Sequence, residues 1–249
     1  LEKENLKKIN LLSQIVDQSP TSIILTNLDG NIEYINKAVE ENLGYSSKEL
    51  IGKNPRIWKS DSTDLQHYED FWSTILNGKT WRGEFANIRK NGEIIIESST
   101  AFPIYNRDGV LTNLVAIQEN ITDRKQTEEE LKLFKTIFEK SVTGQLITRP
   151  DGTIVYHNPN FAKQIQYEKE EIDNCNYETF ISDISSANFK LIQKKVLKTK
   201  NAASTELEQV RKNGEKFPVL MSINCIFDEY DSIQYLAIGV NDISERKMI

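Results

Sequence analysis

The sequence predicts an α+β chain of two similar domains. Each domain is read as a five-stranded antiparallel sheet with helices on one face, and an amphipathic helix joins the two. Three observations point there. The length, 249 residues, is too great for one small domain and suits two. Three segments recur at one spacing: Leu28-Asp29-Gly30-Asn31-Ile32-Glu33-Tyr34-Ile35-Asn36 returns at 150–158, Arg89-Lys90-Asn91-Gly92-Glu93 returns unchanged at 211–215, and Ile121-Thr122-Asp123-Arg124-Lys125 returns at 243–247, each 122 residues on. That period is far beyond a solenoid unit, so each copy is a domain with its own core. Within each copy, apolar runs of strand length are punctuated by Asp-Gly and Asn-Gly turns.

Residues 1–18 read as an amphipathic helix, with Leu6, Ile9, Leu12 and Val16 at spacings of three and four. The first domain, 19–123, opens with a strand at Ser22–Thr26, turns at Asp29-Gly30, where glycine tolerates a positive φ, and returns as Ile32–Ile35. Short helices are expected from Lys37 to Leu76: Ser46-Ser47 is a candidate N-cap, and Tyr68, Phe71 and Ile75 share a helix face. Three longer strands follow, Trp81–Arg89, Glu93–Pro103 and Leu111–Thr122, turning at Lys90-Asn91-Gly92 and at Asn106-Arg107-Asp108-Gly109. A linker helix covers 124–140, with Leu131, Phe134 and Ile137/Phe138 as its stripe, and the second domain, 141–249, repeats the pattern. The two stripes either pack back on their own sheets or form a seam between two copies of the chain. Three turns fall short of the sustained heptads of a coiled coil.

Composition excludes several functions. A net charge of −6 lacks the basic footprint of a nucleic-acid binder. No run approaches the roughly 20 apolar residues of a membrane span, and the N-terminus has no signal-peptide core, so no membrane contact is expected within this fragment and a cytoplasmic location is. Cys175 and Cys225 are the only cysteines, which excludes a disulfide framework. With two histidines and no phosphate-cradling Gly-rich loop, HExxH or GxSxG, the fragment is not expected to be an enzyme, and no metal site is expected. It begins without Met and ends in the helical run SERKMI, as a piece of a longer protein does.

The order DGxIxYxN, GYSxxELIGKNPR, WRGEFxNxRKNGE and ITDRK resembles a PAS domain with its C-terminal PAC segment, and the second copy, DGTIVYHN through RKNGE to DISERK, resembles a more divergent one. Together they cover nearly the whole chain. The resemblance implies a sensory module of a bacterial signalling protein such as a sensor histidine kinase. It also implies a homodimer through the flanking helices and an output domain in cis.

Gly52-Lys53-Asn54-Pro55-Arg56-Ile57-Trp58 is similar to the motif of flavin-binding LOV domains, where a Cys stands at the place of Pro55. Proline has no thiol, so adduct photochemistry is excluded. NPRIWKS followed by Trp-Arg-Gly-Glu-Phe is closer to redox-sensing PAS domains that hold FAD. The resemblance implies FAD contacts from Asn54, Arg56, Trp58, Trp81, Phe85, Asn87, Glu97 and Gln118. Haem through His67, another small molecule, or no ligand, in a dimerisation and protein-interaction scaffold, are the alternatives. Side-chain amides at Asn87 and Gln118 offer donors and acceptors to a pyrimidine-like edge, whereas Glu97, where a second Asn is usual, removes donors. Alternation puts Trp81, Gly83, Phe85 and Asn87 on one face: an aromatic, a gap and an amide that would suit a flat ring, or fill a core. Gln118 leads through Asn120-Ile121-Thr122 into the linker helix, a route by which a ligand could move that helix. Asn120, where the second copy has Asp242, removes a charged contact at that junction. In the second copy Asn87 becomes Gln209, Glu97 becomes Val219, Gln118 becomes Val240, Trp81 becomes Ala203 and Pro55 becomes Tyr177. That wall is aliphatic, no flavin is expected, and the domain reads as holding an apolar ligand or none and acting as a relay or dimer platform. His157, alternating with Tyr156, is expected at the surface.

Overall fold

Turn chemistry sets the first hairpin of each copy. In the computed structural model, which describes residues 2–60 and 63–247, β1 (Ser22–Thr26) and β2 (Ile32–Ile35) are antiparallel. Leu1, Met248 and Ile249, at the ends of the expected ranges, lie outside the described residues. Gly30 sits at φ +79°, left-handed backbone that a Cβ disfavours, and its counterpart Gly152 at +90°. The Asn27 side chain closes the turn by accepting from the N–H groups of Asp29 and Asn31.

The helical stretch resolves into pieces. These are α2 (Lys37–Leu43), α3 (Ser47–Leu50), a 3-10 turn at Pro55–Trp58, and α4 (Leu65–Leu76), all preceded by α1 (Glu2–Asp17). α3 starts at the expected Ser46, where the Glu49 carboxylate accepts from the Ser46 N–H and hydroxyl, and at the start of α4 Asp64 accepts from Gln66 N–H. Then come β3 (Trp81–Ile88), β4 (Ile94–Tyr105) and β5 (Leu111–Asn120), giving the sheet order β2-β1-β5-β4-β3. The last strand stops at Asn120 and α5 (Thr122–Lys140) begins two residues earlier than expected. The cause is local: Asn120 Oδ1 accepts from both the N–H and the hydroxyl of Thr122.

The second domain repeats every element: β6 (Gly144–Thr148), β7 (Ile154–His157), α6 (Pro159–Ile165), α7 (Lys169–Ile172), a 3-10 turn at Tyr177–Phe180, α8 (Asp183–Thr199), β8 (Ala203–Val210), β9 (Lys216–Phe227), β10 (Ile233–Asp242) and α9 (Ser244–Lys247). Its sheet order is β7-β6-β10-β9-β8. The chain divides into two compact units within α5, between Glu129 and Glu130. Among the described residues no helix is long and apolar enough to cross a membrane.

The repeated DGxIxYxN segment does a separate job at each residue. The Asp-Gly pair turns, and the Ile (Ile32, Ile154) is buried. The Tyr faces outward onto the preceding helix: Tyr34 donates to Asp17 at 2.5 Å, and Tyr156 contacts Phe138 at 5.4 Å between ring centroids. The Asn clasps that helix to the sheet. Asn36 Nδ2 donates to Val16 O and Thr21 O, and Asn158 Nδ2 to Phe138 O and Thr143 O. Val16 and Phe138 carry carbonyls that the helix end leaves without an intrahelical partner.

The cores differ. The first domain buries two separate clusters, one around Ile24, Val39, Leu50 and Trp58, the other around Ile75, Trp81, Phe85 and Ala101. The second buries one continuous cluster.

Candidate functional site

Between the two clusters of the first domain lies a chamber of about 110 Å³. Its floor is the inner face of the sheet, where Ser99 and Ala101 on β4 and Ala116 on β5 are too small to fill the space beneath α4. The 3-10 segment supplies one wall through Asn54, Pro55, Arg56, Trp58 and Lys59, and α4 supplies another through Tyr68, Phe71 and Trp72. Asn54 holds the 3-10 turn in place by accepting from Arg56 N–H at 3.1 Å, and Lys59 bridges the edge of β3 at Asn87.

Six of the eight residues expected to contact a cofactor line this chamber: Asn54, Arg56, Trp58, Phe85, Asn87 and Gln118. Trp81 and Glu97 lie on the same sheet face without lining it. Trp81 does share the inner face with Phe85 and Asn87, as alternation predicts, but the gap at Gly83 is not open. The Trp81 indole lies across it, so a Cβ there would meet Trp81 Cη2 at 2.4 Å. The flat ring over Gly83 is the protein's own. Trp81 stacks on Phe85 at 4.9 Å and donates from Nε1 to Asp70 at 3.0 Å. His67 turns inward, yet onto this cluster and not into the chamber, edge-on to Trp81 and Phe85 at 5.1 and 5.2 Å.

Polar groups gather at the strand β3–β4–β5 end. Asn87 Nδ2 donates to Glu97 Oε2 at 2.7 Å, with both residues buried. Burial raises the Glu97 pKa above the ordinary carboxylate value of 4.5, against the opposing pull of the Asn87 hydrogen bond and the Arg89 charge. A carboxyl donates as well as accepts only while it keeps its proton, and burial widens the pH range over which Glu97 does so. Gln118 Oε1, Ser99 Oγ and Glu97 Oε1 are buried without a hydrogen-bond partner. Such atoms are costly, and a ligand donor in the chamber would relieve those of Gln118 and Ser99, which line it.

The exit from the site runs through the Asn120–Thr122 junction. The Thr122 hydroxyl donates to Asn120 at 2.6 Å and accepts from Ile96 N–H at 2.9 Å, next to Glu97 on β4. In the second domain Asp242 takes this place and pairs with Arg211 at 3.1 Å. The first domain has no such acid: its Arg89 pairs with Glu93 at 3.2 Å, and Lys125 ties the first turn of α5 to Glu84 of β3 at 2.8 Å.

Sequence reasoning missed Asn36 and Asn158, whose signal was their recurrence in the repeat. It also missed the small floor residues, whose signal was the bulk of their counterparts Met221, Ile223 and Ile238. His157 corrects the surface expectation. Tyr156 is the half-exposed member of the alternating pair, and His157 is buried, 3.5 Å from Asp173, in the position that Ile35 holds in the first domain. Of the two thiols, Cys175 donates to Glu171 O at 3.1 Å, and burial pushes Cys225 up. Among the described residues no group of three His, Cys, Asp or Glu side chains is placed to hold a metal.

Two antiparallel five-stranded sheets, each carrying helices over one face, define a pair of sensory-domain folds. The family model described as PAS domain matches residues 20–123 and 142–245, and the chain belongs to that family. A nitrogen fixation regulatory protein from Klebsiella oxytoca is 29% identical over 173 residues, covering 70% of this chain and 32% of that protein. A blue-light-activated histidine kinase from Brucella anthropi is 27% identical over 119 residues, covering 47% of this chain and 24% of that protein. A solved PAS domain from Colwellia psychrerythraea matches at 25% identity and a TM-score of 0.44, covering 47% of this chain and 98% of that one. The chain therefore spans less than a third of the length of these two curated relatives. It carries two PAS sensory domains of the kind found in signalling proteins.

Proposed function

We propose that the chain is the input module of a bacterial signalling protein such as a sensor histidine kinase, and that the first PAS domain reads redox state or oxygen through a bound flavin, FAD. One observation carries this reading: the Asn87 and Gln118 amides line one chamber, with Gln118 Oε1 and Ser99 Oγ buried there and lacking donors. A bound flavin supplies reversible electron transfer coupled to protonation. Asn87 and Gln118 orient its polar edge, Trp58 and Phe85 exclude water, and Gln118 passes changes along β5 to the Asn120 cap of α5. The second domain relays them to an output domain in cis. The stripes of α1 and α5 end half-buried at Val16 and Phe138, whereas Leu6, Ile9, Leu12, Leu131, Phe134 and Ile137, between 53 and 67% exposed, do not pack back on their own sheets. They pair the chain as a homodimer.

Size sets a condition. A cavity of roughly 150 Å³ holds benzene, so a chamber of about 110 Å³ admits a three-ring system only as the half-buried Tyr68, Phe71 and Trp72 of α4 swing outward. That same volume favours a second reading, a one-ring metabolite held by the same amides. The absorption spectrum of the purified chain, with chromatography of any ligand released by denaturant, separates the two. A flavin band that survives Gln118→Leu, while the redox-dependent change in α5 is lost, supports the proposal. A colourless chain that releases no flavin, and takes up none when FAD is added, refutes it.

A further inference from the structure

We propose that the second PAS domain is a self-occupied sensor: the phenol ring of Tyr177 stands in the ligand chamber that the first domain leaves open, so this site takes a one-ring phenol and the chain supplies it. The repeat makes the comparison direct. Pro55 lines the first chamber, and Tyr177 lies 122 residues on, at the same first position of the 3-10 turn. Tyr177 has no exposed surface, and its ring lies 5.2 Å from that of Phe189 in the core. Its hydroxyl accepts from Gln209 Nε2 at 3.0 Å, and Gln209 is the counterpart of Asn87, the amide at the first chamber's wall.

The ring thus meets the second domain as a ligand would meet the first, with apolar surroundings and a polar edge on the β3-type strand. The backbone that carries it is fixed independently of the side chain. Tyr177 N–H donates to Gly152 O at 2.9 Å, and Asn176 caps the turn by accepting from Glu178 N–H at 3.0 Å. Removing the ring therefore leaves a framed space, one amide wide at its polar end. A tyrosine that merely fills a core leaves a site that collapses when it is truncated. A plug leaves one that a free ligand refills.

The test compares the 249-residue chain with its Tyr177→Ala and Tyr177→Phe variants, using phenol as the probe. Calorimetry is expected to show one more phenol bound by Tyr177→Ala than by wild type, with a Kd on the order of 1 mM or tighter. Phenol should also shift the Gln209 side-chain amide signal, raise the thermal midpoint of the second domain, and bind about tenfold more tightly than benzene through the Gln209 hydrogen bond. Tyr177→Phe should fold, alter the Gln209 amide signal and still exclude phenol. The proposal fails if phenol moves the Gln209 signal in wild type or in Tyr177→Phe. It fails equally if Tyr177→Ala folds without gaining a site, or stays unfolded in saturating phenol, because plug and ligand are then not interchangeable.

Discussion

Replacing Glu97 by glutamine removes a titration that the first domain makes costly. Glu97 has no exposed surface and its pKa is raised by burial, so the folded domain holds the carboxyl proton more tightly than the unfolded chain does. Below an ordinary pKa of about 4.5 both states are protonated and stability is level. Between that value and the raised folded value the unfolded chain has lost a proton that the folded one keeps. Stability then falls as pH rises, by about 1.4 kcal/mol for each pH unit of the window, and levels off above the folded pKa. The glutamine side chain is nearly the same shape as the neutral acid, still accepts from Asn87, and does not titrate. Glu97→Gln is expected to match wild type near pH 4 and to exceed it near pH 8, the gap measuring the width of the window. Trp58, Trp72 and Trp81 are the only tryptophans, and all lie in the first domain. Denaturant titrations followed by their fluorescence therefore report this domain alone. Parallel stability curves for the two proteins from pH 4 to 8 would falsify the assignment of a buried, proton-holding carboxyl.

Three further outcomes follow from the packing. Gly83→Ala drives a methyl group into the Trp81 indole, at 2.4 and 2.5 Å from its nearest atoms, and should cost about 1–3 kcal/mol. A first domain of unchanged stability and unchanged tryptophan emission would show that the indole does not fill that gap. Asn158→Ala removes donors to Phe138 O and Thr143 O and an acceptor from the N–H groups of Gln145 and Phe161. A loss of about 3 kcal/mol is expected, with faster hydrogen exchange at the C-terminal end of α5. Unaltered exchange there would remove the clasp role. Leu131→Lys with Phe134→Lys places charge on the exposed stripe of α5 and should turn a dimer into a monomer in sedimentation. A wild-type chain that already sediments as a monomer at high micromolar concentration contradicts the homodimer.

The frame was readable in the sequence because its signals are local. Asp-Gly fixes a turn by backbone conformation, and a second copy at one offset repeats the message, so the succession of strands and helices along the chain followed. Within the site, alternation gave the faces of Phe85, Asn87 and Trp81, since a pleated strand permits no other arrangement. It could not say where the Trp81 ring goes, because that is decided by a side-chain torsion and by the room over Gly83. The floor of the chamber escaped notice because Ser99, Ala101 and Ala116 announce it only by missing volume. His157 was misplaced by the general habit of polar side chains to face water, which an inward position on β7, with Asp173 at hand, overrides.

The same comparison of copies locates where the two domains differ. The segments that recur with least change are turns and clasps: Asp-Gly, the Asn36 and Asn158 pair, and the identical Arg-Lys-Asn-Gly-Glu. The divergence gathers on the inner sheet face, where Ser99, Ala101 and Ala116 give way to Met221, Ile223 and Ile238, and polar Glu97 and Gln118 give way to Val219 and Val240. All five of those replacements are buried, within one continuous cluster. Interiors pack to crystal-like density, so larger side chains on one wall leave no room for a guest. The hollow copy has room for a ligand, and the solid copy is filled by its own side chains.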